Sequence, residues 1–101
     1  MKKIISTKTL AKTISKLKAK GKKVVLCHGV FDLLHIGHIK HFKEAKSLGD
    51  ILIVTVTQDK YVNKGPNRPI FSLNTRMESI AALKDIDYVA PNKFSNAIQL
   101  I

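Results

Sequence analysis

The chain has 101 residues, 45% hydrophobic and 25% charged, with a formal net charge of +11. That length gives one domain with a modest core, and the longest apolar run, "ILIVTV", falls far short of the roughly 20 residues that span a bilayer. No cleavable leader is visible, and the single cysteine, Cys27, excludes an internal disulfide, so a cytoplasmic setting is expected.

In chain order, residues 6–20 read as a helix, with Leu10, Ile14 and Leu17 at helical spacing, Ser6 or Thr7 at its start and Gly21 at its end. Many of the 16 lysines crowd this region, where they make a solvated face. Such charge draws polyanions. The clustered arginines and exposed stacking aromatics that accompany nucleic-acid binding are missing, so nucleic acid is not the expected partner. "KVVLCH" follows as a short buried strand. A second helix is expected from about Ile36, with Ile39, Phe42 and Ala45 on one face and Gly49 ending it. "DILIVTVT" is continuously apolar, as suits a parallel strand covered on both faces.

The stretch "QDKYVNKGPNRPIFS" reads as a loop. A third helix is expected over 74–83, where Thr75 and Glu78 have capping-box spacing and Leu73, Met77 and Ile80 share a face. "DYVA" is a third strand. The order α-β-α-β-α-β predicts right-handed crossovers in a small doubly wound α/β parallel sheet, Rossmann-like in class, with its core over 24–90. Residues 94–101, "FSNAIQLI", read as an incomplete C-terminal helix of a longer natural protein. The sheet edge and apolar surface left open in such a piece favour a homodimer.

The chemistry concentrates in "HGVFDLLHIGH", residues 28–38. Ligands of parallel α/β folds bind beyond the carboxyl ends of the strands, which is where this run falls. Gly29 lets the backbone turn or approach a ligand. Gly37 clears the start of the second helix, whose N–H groups can receive a phosphate oxygen. His35 and His38 are three residues apart, so their rings can face the same way. Two imidazole donors on one phosphoryl group would stabilise charge developing at phosphorus. Asp32 can cap the turn, orient a histidine or help position a metal. A lone histidine is more often structural than functional. Zinc would need ligands beyond this pair, with Cys27 and His28 as the nearest, and no metal site is expected.

"GVFDLLHIGH" resembles the signature of the HxGH nucleotidyltransferase superfamily, and the likeness continues through "HIKHFKEAKSLGDILIVTVTQD", "KGPNRPIF", "TRMESIAAL" and "DYV". It is nearest to the phosphosugar branch, which includes glycerol-3-phosphate cytidylyltransferases and the nucleotidyltransferase domains of ADP-heptose synthases. The resemblance implies transfer of CMP or AMP from CTP or ATP to a sugar or polyol phosphate, with release of pyrophosphate and with Mg2+ accompanying the triphosphate. It implies that His35 and His38 contact the triphosphate, that Arg76 holds a phosphate, and that Gly29, Val30, Phe31, Asp32 and Gly37 surround the nucleotide, with Lys64 beside its phosphates. His28, Asp59, Lys60 and Arg68 are weaker candidates for substrate contact. The superfamily also carries a late Ser- and Thr-rich motif, and nothing after Tyr88 matches it.

Overall fold

The computed structural model describes residues 3–32, 34–59 and 71–92. Its elements are α1 (Thr7–Ala19), β1 (Val24–Gly29), α2 (Ile36–Ser47), β2 (Ile51–Thr57), α3 (Leu73–Ala81) and β3 (Tyr88–Asn92). The strands form a 3-stranded sheet in the order β1-β2-β3. Both pairings are parallel, with Val24 opposite Ile51 and Ile53 opposite Tyr88 at their starts.

Side chains along the buried β2 alternate between two cores. Leu52, Val54 and Val56 face α2 and α3, where they pack with Phe42, Ala45, Met77, Ile80, Ile86 and Val89. Ile53 faces the other way and joins Leu10 of α1 and Ala90 of β3. The sheet is therefore covered on both faces, as the uninterrupted apolar sequence of β2 requires. Both crossover helices lie on one face, as two connections of the same hand demand in a sheet of this order.

Local signals account for most of the boundaries. Ser6 caps α1, its Oγ accepting from the Thr9 N–H at 3.1 Å, and Gly21 at φ 77° carries the chain out of the helix. At α3 the expected cap is displaced. Ser72, not Thr75, is the N-cap, and its Oγ accepts from the Thr75 N–H. The earlier start brings Leu73 into the first turn, where it packs on the core. Gly49 lies beyond the α2 C-cap, Leu48. Its lack of a side chain permits close approach, since a Cβ there would come within 2.8 Å of the Lys23 carbonyl oxygen.

β3 runs two residues past "DYVA", through Pro91 to Asn92. Proline is tolerated because β3 ends the strand order. Its outer side is partly covered by the N-terminal segment: Ile4 bridges Val89, with the Ile5 N–H donating to Val89 O and the Val89 N–H to Lys3 O. The expected helix over 94–101 lies outside the described residues.

Candidate functional site

The motif residues gather where the three strands end. His35 is the N-cap of α2 and His38 lies in its first turn. The Nδ1 of His35 accepts from the Gly37 N–H at 3.0 Å, and the Nδ1 of His38 accepts from the His35 N–H at 3.1 Å. The two rings stand 4.0 Å apart between centroids. Each histidine thus performs the task usually left to a Ser or Glu in a capping box. An Nδ1 that accepts from a backbone N–H carries no proton, so each neutral ring holds its proton on Nε2. The first-turn N–H groups of Gly37, His38 and Ile39 all bond back to His35, so the imidazole N–H groups are the donors the motif itself adds at the helix start.

The two glycines make room for rings. A Cβ at Gly37 would stand 2.7 Å from His35 Cε1, and one at Gly29 would stand 2.7 Å from Phe31 Cζ. Between them Phe31 adopts φ 51°, a left-handed conformation uncommon outside glycine. Its ring meets His38 edge-on at 5.5 Å and Phe42 at 5.3 Å.

Asp32 is buried, and its Oδ1 accepts from the Phe71 N–H at 2.9 Å. Arg76, expected to hold a phosphate, is only 2% exposed, and its guanidinium bonds to the protein. Nη1 donates to Val30 O and Thr57 O, both at 2.8 Å, and Nε donates to Phe71 O at 3.0 Å. Nη2 pairs with Asp59 Oδ1 at 2.5 Å. Arg76 therefore ties together the ends of β1 and β2 and the entry to α3. Asp59, expected near substrate, is its ion-pair partner.

His28 faces the α1 side of the sheet. Its Nδ1 lies 3.0 Å from Thr55 Oγ1, its Nε2 lies 3.4 Å from Thr57 Oγ1, and Asn92 Nδ2 lies 3.3 Å from both ring nitrogens. Thr55, Thr57 and Asn92 are buried. Burial pushes the His28 pKa below the usual 6.5, and the hydrogen bond involving Thr55 opposes that shift. Sequence reading missed Thr55, Thr57 and Asn92. The available signal was the pair of polar residues in the otherwise apolar "ILIVTVT".

Cys27 and His28 are successive strand residues on opposite faces, so they do not share a ligand with each other. Cys27 Sγ lies 3.9 Å from His41 Nε2, and burial raises its thiol pKa. Lys60, Lys64 and Arg68 lie outside the described residues.

A parallel α/β sheet whose strand ends converge on a histidine-capped helix start is Rossmann-like in class. The chain belongs to the Cytidylyltransferase-like family, whose profile matches residues 26–100. It is 47% identical over 90 residues to the "Bifunctional protein HldE" of Blochmanniella pennsylvanica, an alignment covering 87% of this chain and 19% of that protein. The protein of the same name from Vibrio parahaemolyticus is 43% identical over the same shares. Among solved structures, a lipopolysaccharide core biosynthesis protein from Thermoplasma volcanium superposes with a TM-score of 0.71 at 38% identity, covering 78% of this chain and 65% of its own. The chain thus spans about a fifth of the length of the curated relatives it matches, 19% of each. No described helix is long and apolar enough to cross a membrane.

Proposed function

We propose that this chain carries the triphosphate-binding core of a cytoplasmic sugar- or polyol-phosphate nucleotidyltransferase. A phosphate oxygen of the acceptor attacks the α-phosphorus of CTP or ATP. The new P–O bond forms as the bond to the β-phosphate oxygen breaks, and pyrophosphate leaves with that electron pair. The acceptor is already an anionic nucleophile, so no general base is required. Catalysis then rests on positioning and on stabilising charge at phosphorus.

The observation that carries this reading is the pair of Nδ1 acceptor bonds at His35 and His38, which assigns both ring protons to Nε2. Two such donors at a helix N-terminus suit a phosphoryl group in the transition state. The relatives' name and the family likeness support the nucleotidyl chemistry, and the resemblance to the phosphosugar branch supports the acceptor class. Lys64, with Lys60 and Arg68, enters this reading on the resemblance alone.

Magnesium enters this reading on the resemblance alone, as the triphosphate's counter-ion, held by phosphate oxygens and water.

Pyrophosphate release tests the reading, with CTP or ATP supplied alongside a panel of sugar and polyol phosphates. His35→Ala and His38→Ala should each lower turnover about 10²- to 10³-fold, the usual cost of one transition-state donor. Turnover unchanged in both variants contradicts the mechanism. Saturable triphosphate binding without pyrophosphate from any acceptor would make the chain a nucleotide-binding module instead.

A further inference from the structure

Phe31 is the one non-glycine residue with positive φ among those described. A side chain is held in that region only where its surroundings over-determine it, and three features do so here. The carbonyl of Val30, immediately before it, is gripped by Arg76 at 2.8 Å. The carboxylate of Asp32, immediately after it, is anchored on the Phe71 N–H at 2.9 Å. Arg76 also grips the Phe71 carbonyl at 3.0 Å, so one clamp fixes both flanks. The ring then folds back over Gly29, where a Cβ would stand 2.7 Å from its tip.

The outcome of that strain is a wall against His38. The Phe31 ring meets the imidazole at 5.5 Å with an interplanar angle of 80°, the favourable edge-to-face arrangement. His38 also has the His35 ring at 4.0 Å, and its Nδ1 accepts from the His35 N–H. The edge of the Phe31 ring limits how far the imidazole can turn about that bond.

We propose that Phe31 is a positioning residue: its left-handed backbone aims the ring at His38 and fixes the direction of the His38 Nε2–H, with Asp32 and Arg76 acting through it as a clamp. Gly29 is then small for the sake of the Phe31 ring rather than for a ligand. The proposal rests on the reading of His35 and His38 as phosphate donors, and its test can be scored apart from that reading.

The test is nitrogen NMR of the histidine rings in the 101-residue chain and its variants. Phe31→Gly suits the backbone conformation and deletes the wall. Gly29→Ala keeps the ring and displaces it. In each folded variant the His38 ring nitrogens should lose the wide separation of a single tautomer, while Phe31→Tyr retains it. In turnover assays Phe31→Gly should lower kcat about 10- to 100-fold, as misplacement of a catalytic group does, with KM little changed. If Phe31→Gly fails to fold, Gly29→Ala decides by the same signals. His38 nitrogen signals that stay as in the unaltered chain in a folded variant overturn the proposal. Turnover unchanged in both His35→Ala and His38→Ala overturns the functional reading and leaves the imidazole result standing.

Discussion

The two ends of the sheet use the same chemistry for different ends. Where the strands begin, charged groups close turns. Asp50 accepts from the Lys23 N–H at 2.8 Å, and Asp87 accepts from the Leu52 N–H at 2.8 Å and from Lys46 at 2.6 Å. The Lys46 and Asp87 side chains are 31% and 27% exposed, so water shares the work. Where the strands finish, Asp32, Thr55, Thr57, Arg76 and Asn92 are all buried. Burying that much polarity is costly unless each group is bonded. The starting end needs only closure, whereas the finishing end ties the ends of β1 and β2 to the entry of α3.

The sharpest way to break this contrast is Arg76→Met. It leaves the carbonyls of Val30, Thr57 and Phe71 without their donor and Asp59 without its partner. Asp59 is 49% exposed and screened by water, so the cost comes mainly from the three orphaned carbonyls, about 1–3 kcal/mol each, a large share of the stability of so small a domain. A urea titration should show the midpoint collapse. A loss under about 1 kcal/mol would mean that the clamp is replaceable.

Replacing His35 or His38 by alanine should separate stability from activity. Each loses one backbone cap, worth about 1 kcal/mol, while pyrophosphate release falls about 10²- to 10³-fold. Thermal unfolding and turnover measured on the same preparations check both halves.

At the opposite end, Lys46→Met should cost about 1 kcal/mol or less, since a partly exposed ion pair contributes little. A loss comparable to that of Arg76→Met would erase the distinction between the two ends.

The smallest effect is a pH dependence. Burial holds the folded-state pKa of His28 below 6.5, so the unfolded chain binds the proton more readily. Its contribution is intact above the unfolded pKa and is lost as pH falls from there through the folded pKa. His28→Gln should flatten the fall of the stability curve as pH drops below the unfolded histidine pKa of about 6.5, measured by denaturant titration.

The histidine pair and both glycines were legible because they are adjacent in sequence and fall at a strand-to-helix junction. The role of Arg76 was less visible, although the spacing held a clue: it lies three residues after Leu73 and four before Ile80, on the buried face of α3. An arginine on that face reads as a ligand group until the carbonyls it meets are known, and those come from distant loops. The His28 cluster depends on register, with His28 opposite Thr55 and Thr57 opposite Asn92. Strand order and register join residues far apart in the chain, which periodicity within one strand cannot supply. The bridge from Ile4 to Val89 was hidden for the same reason.

The central claim is that His35 and His38 offer Nε2–H donors to a nucleoside triphosphate. It is tested most directly by titrating the isotope-labelled chain with CTP and with ATP while following the ring nitrogens of both histidines. The account predicts that one or both nucleotides bind saturably, that both Nε2–H signals shift together along one isotherm, and that each Nδ1 keeps its acceptor signature. Saturable binding that leaves both rings unmoved, or no binding of either nucleotide, would contradict it.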